Sequence, residues 1–186
     1  MNVLRSSIRR TIAAIAPLDP AEASAQSSVL SWIDSGAPLF RERGPVPPRH
    51  LAVYFALLDP DRRRVLQVDH LKAGAWVFPG GHVDTEEPAA AVRREASEEL
   101  TVDADFLLGD EPLFVTESVT RPPGEHVDVT LWFILRGDSA MALSADPAEF
   151  RGLRWVSVDE RDDWLGSCYA PDQVARFLTK VSAAID

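Results

Sequence analysis

The sequence predicts a mixed α/β fold, in which a β-sheet is interrupted by one central helix and closed by a second. Strand-like patterns begin at His50, where the continuously apolar run LAVYFALL is typical of a strand buried on both faces. Two helix patterns, residues 89–100 and 171–184, separate and close the predicted strands. Because strands and helices alternate without an internal repeat, we expect helices packed against the sheet in an α/β sandwich.

The first part of the chain, residues 1–48, predicts a helical arm and an extended connector, and residues 49–186 form the main domain. Four apolar residues recur at helical spacing and form one stripe: Leu4, Ile8, Ile12 and Ile15. Asp19 followed by Pro20 is a typical helix start, and this second helix should stop near Ser35 and Gly36. The arm either packs on the main domain or mediates a homodimer, and the sequence leaves both open.

The main domain carries further strand-like runs after LAVYFALL. They are residues 65–68, 76–78, 111–119, 127–135 and 152–158. A Pro/Gly-rich loop, RPPGEH, joins the third of these runs to the fourth. The aromatic residues on these runs are expected mainly in the core, with base stacking as the alternative for Trp76, Phe78, Trp132 and Trp155.

Composition narrows the class of function. The chain has 186 residues, a formal net charge of -10 and a pI near 4.8, which argues against binding of nucleic acid or anionic membranes. No apolar run approaches the ~20 residues that span a bilayer. Cys168 is the only cysteine, so we expect a packing residue in a reducing, cytoplasmic environment.

Three glutamates of the central helix pattern, Glu95, Glu98 and Glu99, lie three and four residues apart and therefore share one face. Each like-charge pair on a helix costs roughly 0.2–0.5 kcal/mol. A hard divalent cation reverses the sign of that cost, because Mg²⁺ and Mn²⁺ prefer carboxylate oxygens. The alternative interpretation is a solvated acidic face.

The stretch that contains these glutamates, residues 79–102, resembles the signature of the Nudix hydrolase family. That signature is a glycine, five residues, Glu, seven residues, then Arg-Glu-apolar-x-Glu-Glu-x-Gly-apolar, and residues 94–102 read REASEELTV. Thr101 stands where the family usually has Gly. Counted from Gly81, the loop to Glu86 is one residue short, although counting from Gly80 gives the family spacing.

The resemblance implies a Nudix-type α/β/α sandwich with a mixed sheet, and hydrolysis of a nucleoside diphosphate linked to another group X. It also implies that Mg²⁺, with Mn²⁺ as a substitute, is held by four groups: the carboxylates of Glu95, Glu98 and Glu99 and the carbonyl of Gly80. Arg94 and Glu86 would pair and hold the loop against the helix. The partner would be a small nucleotide-type substrate, and Gly81 and His82 are the expected substrate contacts.

The base that activates water is often a carboxylate outside the Nudix signature. The candidates are Glu95 itself, Asp128, Asp138 and Glu149, and we rank Glu149 first among those outside the signature. The catalytic set is therefore Glu95, Glu98, Arg94 and Glu149. The spacing of His50, His70 and His126 along the chain does not indicate a zinc site.

Two other functions are alternatives to hydrolysis. A non-catalytic Nudix-fold sensor that binds nucleotides is suggested by the short loop and by Thr101. The related isoprenoid diphosphate isomerase needs a cysteine in the core, whereas Cys168 lies close to the C-terminal helix. The substrate stays open among ADP-ribose-like sugars, dinucleotide polyphosphates and modified nucleoside triphosphates.

Overall fold

Two long parallel strands form the centre of the sheet. The computed structural model describes residues 3–42, 46–120 and 125–186, so part of the predicted connector and part of the RPPGEH loop lie outside the described residues. Strand β1 (Arg49–Asp59) pairs in parallel with β6 (Val127–Arg136) over nearly its whole length. Most residues of both strands are buried, as the continuous apolar runs predicted.

Five shorter strands complete a seven-stranded mixed sheet. They are β2 (Arg64–His70), β3 (Ala75–Val77), β4 (Gly80–His82), β5 (Phe114–Val119) and β7 (Phe150–Ser157). The main path is β3-β2-β1-β6-β5, with β7 beside β2 and β4 beside β1. One edge of β1 therefore has two antiparallel partners, β4 at residues 52–54 and β2 at residues 58–59. The three-residue strand β4 has no counterpart among the predicted strands.

Within the described residues, four helices and a short 3₁₀ helix cover the sheet. They are α1 (Val3–Ala14), α2 (Pro20–Asp34), α3 (Pro88–Leu100), the 3₁₀ helix (Leu165–Ser167) and α4 (Pro171–Ile185). Helices α1, α2 and α3 share one apolar cluster with alternate residues of β1, such as Val53 and Phe55. Helix α4 packs in a second cluster with Ala56 and Leu58. The three layers confirm the predicted α/β/α sandwich with a mixed sheet.

The N-terminal arm is fastened to the C-terminal helix by two ion pairs. The Glu22 side chain is fully buried and lies 2.9 Å from Lys180 Nζ of α4, and it also accepts a 2.6 Å hydrogen bond from the Leu18 N–H. Asp19 caps α2 by accepting from the Glu22 N–H and pairs with Arg176 of α4 at 2.6 Å. The arm thus packs on the main domain of its own chain, while the boundary at residue 48 stays a prediction.

Helix α3 ends at Thr101, whose φ of 56° and ψ of 39° are left-handed. Its N–H bonds to Ser97 O, and the next N–H, that of Val102, bonds to Ala96 O. This double closure of a helix end usually has glycine at the left-handed position, because a Cβ is strained there. The presence of Thr101 where the Nudix pattern has glycine therefore strains the backbone and does not change the side-chain chemistry.

The buried pair predicts a large effect of Glu22→Ala on stability. The substitution leaves Lys180, whose side chain is 10% exposed, without its carboxylate partner. We expect the free energy of unfolding to fall by about 3–5 kcal/mol, measured by urea denaturation. The matched control is Asp34→Ala, which breaks the exposed pair with Arg9 and should have a far smaller effect. Equal effects of the two variants would contradict the assignment.

The strained helix end predicts that Thr101→Gly stabilises the protein. Removing a left-handed Cβ gains about 1–2 kcal/mol, and the greater freedom of glycine in the unfolded chain takes back about 0.5–1 kcal/mol. Urea denaturation should therefore show a net gain of up to about 1 kcal/mol. Ser97→Gly, on the exposed side of the same helix, should instead destabilise. A loss of stability in Thr101→Gly would refute the strain.

Candidate active site

The three glutamates of α3 lie side by side but differ in exposure. The side chain of Glu98 is 61% exposed and that of Glu95 is 12% exposed, while Glu99 is 5% exposed as a residue. The acidic face therefore runs from solvent into the protein interior. A cation bound there would have an open side for water and substrate and a buried carboxylate at its back.

Strand β4 presses its backbone against this face, and two glycines make the approach feasible. The Gly80 N–H donates a 2.8 Å hydrogen bond to Glu99 Oε2. Gly80 has a φ of 143°, and a Cβ there would overlap the Val53 carbonyl oxygen. A Cβ at Gly81 would overlap the Glu95 carboxylate. Position 80 has no room for any residue larger than glycine, whereas a Cβ at position 81 would displace the Glu95 carboxylate.

Arg94 links the loop to the acidic face. Its guanidinium lies 2.9 Å from Glu86 Oε1, 2.7 Å from Glu95 Oε1 and 3.3 Å from Glu98 Oε2, and it donates to the His82 carbonyl at 3.0 Å. Glu86 and Arg94 therefore pair across the loop. The short loop leaves this pairing intact.

The electrostatics of the site fit a divalent cation. Burial, followed by the neighbouring charge of Glu95, raises the pKa of Glu99 to about 9, despite the Gly80 hydrogen bond. Burial also raises the pKa of Glu95, and Arg94 offsets part of that effect. Crowded carboxylates with raised pKa values are the arrangement that a bound cation relieves, and an all-oxygen donor set suits Mg²⁺ or Mn²⁺.

The three candidate bases outside the helix lie in different places. Glu149 immediately precedes β7, and its charge contributes to the raised pKa values of Glu95 and Glu99, so it lies near the acidic face. Asp138 pairs with Arg62 at 3.2 Å, at the turn between β1 and β2. Asp128 lies on β6 and faces three histidines. Of the three, Glu149 is placed best to serve the acidic helix.

A cleft opens between β6 and α4, on the sheet face away from α1 and α2. Its lining includes Tyr54, Trp76, Phe78, Asp128, Thr130, Trp132, Tyr169 and Gln173. Three of the four aromatic residues singled out from the sequence thus reach a cavity, and Trp155 is not among the lining residues. Cys168 is buried and its Sγ accepts from Gln67 Nε2 at 3.1 Å, as expected of a packing residue.

One cluster was missed by sequence reasoning. The Nε2 atoms of His50, His82 and His126 lie 3.2, 3.5 and 3.1 Å from Asp128 Oδ1. His50 is directly opposite Asp128 in the β1–β6 register. The alternation of His126 and Asp128 was a local signal that both share one strand face. The pairing with His50 and His82 depended on strand neighbours that no spacing reveals.

The ring of His82, an expected substrate contact, points into this cluster. Arg41 Nη1 lies 2.8 Å from its Nδ1. Burial lowers the pKa of His82, and Asp128 partly offsets this. Gly81, the other expected contact, has its backbone against Glu95.

Comparison with known proteins agrees with the fold. The chain matches the NUDIX domain family over residues 48–170. A MutT NUDIX hydrolase from Burkholderia pseudomallei is 25% identical with a TM-score of 0.51, covering 72% of this chain and 98% of that chain. A NUDIX-family hydrolase from Clostridium perfringens is 19% identical with a TM-score of 0.57, covering 73% and 98%. No curated protein sequence matches the chain.

A third solved structure, an Ap4A hydrolase from C. elegans in a binary complex, is 16% identical with a TM-score of 0.55, covering 74% of this chain and 96% of that chain. At this identity the likeness shows the fold alone. The family match spans most of the chain, and the chain therefore belongs to the Nudix family of hydrolases. Among the described residues, no helix is long and apolar enough to cross a bilayer.

The raised pKa of Glu99 predicts how pH and metal affect stability. The pKa of Glu99 rises from 4.5 in the unfolded chain to about 9 in the metal-free fold, so its protonated form stabilises the fold at pH values below 4.5. This stabilisation is lost as the pH rises from 4.5 through about 9. In EDTA, the melting temperature of Glu99→Gln should therefore change less between about pH 5 and about pH 9 than that of the unaltered chain. Mg²⁺ should raise the melting temperature of the unaltered chain more than that of the variant. Glu160→Gln, an exposed acid outside the site, is the control, and equal Mg²⁺ shifts in all three proteins would contradict the assignment.

Proposed function

We propose that this Nudix enzyme is a Mg²⁺-dependent hydrolase that cleaves the pyrophosphate bond of a nucleoside diphosphate linked to another group X. The observation that carries the proposal is the convergence of Glu95, Glu98 and Glu99 beside a glycine backbone with no room for side chains. A protein that only binds nucleotides has no evident need for three crowded carboxylates on one helical face.

The metal would be held by the carboxylates of Glu95, Glu98 and Glu99 and by the Gly80 carbonyl, with Mn²⁺ as a substitute. When bound, such an ion neutralises charge on the transferring phosphoryl group and lowers the pKa of a bound water. Arg94 acts as a positioning residue, because its guanidinium contacts both Glu95 and Glu98. Its bond to Glu86 fixes the loop that carries the glycines.

We assign Glu149 as the base that accepts the proton of the attacking water. It is partly exposed, precedes β7 and is close enough to raise the pKa values of two of the helix carboxylates. In the reaction, water oxygen forms a new bond to phosphorus while the anhydride P–O bond breaks, and the water proton moves to a Glu149 carboxylate oxygen. Glu95 is the alternative base, since its carboxylate lies on the same face.

The cleft beside β6 supports a small nucleotide-type substrate. Trp76 lines it and is partly exposed, so its ring can stack on a base, whereas Trp132 is packed in the core. ADP-ribose-like sugars, dinucleotide polyphosphates and modified nucleoside triphosphates all meet that description. Gly81 would contact the substrate through its backbone.

The surroundings of the protein are also proposals. The net charge of -10 argues against nucleic acid as the substrate, and a small phosphorylated substrate would bind where a metal ion reverses the local potential. The single buried cysteine supports a reducing cytoplasm. A homodimer through the N-terminal arm has less support, because Ile8 and Ile12 of the apolar stripe are already fully buried within the chain.

The proposal is tested with a panel of nucleotide derivatives and Mg²⁺, following nucleoside monophosphate and phosphate products. The best substrate is then used on Glu98→Gln, which should lose about 10²-fold or more in kcat/KM, because a metal ligand is removed from an exposed position that the fold does not need. Glu160→Gln should keep full activity. A Glu98→Gln protein as fast as the unaltered chain would refute the ligand assignment, and tight nucleotide binding without turnover would indicate the sensor function instead.

A further inference from the structure

The cluster around Asp128 brings together three of the chain's four histidines. One ligand atom from each of His50, His82, His126 and Asp128 lies within 4.8 Å of the others. The cluster is separate from the glutamates of α3, although His82 reaches it from the same short strand that carries Gly80 and Gly81. Hydrolysis as described above makes no use of it.

The surroundings of the His50 ring are the first argument. Its ring is fully buried, and its Nδ1 lies 2.9 Å from the Pro47 carbonyl oxygen. A carbonyl only accepts, so Nδ1 is the donor in that contact, and Nε2 is left facing Asp128 Oδ1, 3.2 Å away. A buried ring nitrogen and a carboxylate oxygen at that distance need a proton or a metal ion between them.

Asp128 supplies the second argument. Its Oδ1 is buried, and neither this atom nor His50 Nε2 makes a hydrogen bond within the described part of the chain. His50 Nε2 nevertheless lies only 3.2 Å from that oxygen. Polar atoms at this distance without hydrogen-bond geometry are uncommon in protein interiors, where buried polar atoms are almost always paired.

The distances fit a metal ion. Zinc binds nitrogen and oxygen ligands at about 2.0–2.2 Å in a tetrahedron, which places neighbouring ligand atoms about 3.3 Å apart. The separations of the histidine nitrogens from Asp128 Oδ1 bracket that value. Imidazole-rich ligand sets suit Zn²⁺ and similar transition metals, whereas the all-carboxylate face of α3 suits Mg²⁺.

The surroundings of the rings resemble those of metal ligands. A histidine that binds a metal through Nε2 usually has its Nδ1–H held by an oxygen. His50 has the Pro47 carbonyl in that role, and His126 Nδ1 lies 3.1 Å from the Thr120 hydroxyl. His82 differs, because the Arg41 guanidinium donates to its Nδ1 and leaves the ring proton on Nε2.

From these contacts we propose that His50, His126 and Asp128 form a binding site for a transition-metal ion of the zinc class. His82 is the fourth ligand: its ring proton moves from Nε2 to Nδ1, the hydrogen bond from Arg41 is released, and Nε2 then binds the ion. Asp128 also lines the cleft, so the ion sits at the floor of the cavity where the substrate is expected.

The experiment measures zinc in the full-length protein. Metal is removed by a chelator, Zn²⁺ is added, and the protein is dialysed against buffer with excess Mg²⁺, so that the acidic face is filled by magnesium. We expect one zinc per chain by elemental analysis. X-ray absorption at the zinc edge should show imidazole nitrogens at about 2.0–2.1 Å.

Variants separate the proposed site from its alternatives. Asp128→Asn and His126→Ala should each lower zinc affinity by about 10²-fold or more, and circular dichroism verifies that they are folded. His70→Ala is the matched control, because His70 packs on Phe150 away from the cluster, and it should retain zinc. Glu98→Gln should also retain zinc while losing hydrolysis, so a failure of the proposed activity is distinguishable from a failure of this site.

Three results would overturn the proposal. The first is an unaltered chain that holds no zinc after dialysis, which would leave a histidine–aspartate ion pair as the role of the cluster. The second is zinc retained at full affinity in a folded Asp128→Asn protein. The third is an absorption spectrum with oxygen ligands only, which would place the ion on the glutamates of α3. Because the first result needs no substitution, the test does not depend on the folding of any variant.

Discussion

The fit of β4 against α3 is the constraint on which the rest of the site depends. A three-residue strand has little stability of its own, and its backbone is held by β1 on one side and by the buried carboxylate of Glu99 on the other. Glycine at positions 80 and 81 lets that carboxylate and its neighbour Glu95 approach the backbone. The acidic helix and the loop are thus one unit, and Arg94 balances part of its unfavourable charge crowding.

The same strand joins two electrostatic environments of different kinds. On the α3 side lie carboxylates and an arginine, and every group there that could bind a metal ion would bind it through oxygen. On the cleft side His82 meets His50, His126 and Asp128, and nitrogen predominates. Alternation along β4 sends successive residues to opposite faces, which is how adjacent positions reach both environments.

Much of the fold could be predicted from local patterns. The apolar run of β1, the glycine-free stretch of α3 and the capped start of α2 each reflect forces that act over a few residues. The acidic face was equally readable, since helical spacing alone brings Glu95, Glu98 and Glu99 together. β4 was missed because three residues with two glycines have no strand propensity, and only the edge of β1 makes them a strand.

The histidine cluster could not be predicted for a different reason. His50, His82 and His126 are separated by dozens of residues, and they meet only because β1 has β6 on one side and β4 on the other. A pair of parallel strands leaves no local signal in the sequence, because a long crossover connects the two strands. The place of Glu149 near the acidic helix likewise follows from how the loop before β7 folds back, which composition does not encode.

The two ion pairs between α2 and α4 make the beginning and the end of the chain depend on each other. Glu22 is buried among groups that include Lys180, and the cap of α2 is also the partner of Arg176. Removing α2 would leave Lys180 and Arg176 without their carboxylate partners, and removing α4 would leave Glu22 and Asp19 without their cationic partners. For protein engineering, the first helices are part of the scaffold and not a removable leader, and joining tags or fusion partners is safest outside both helices.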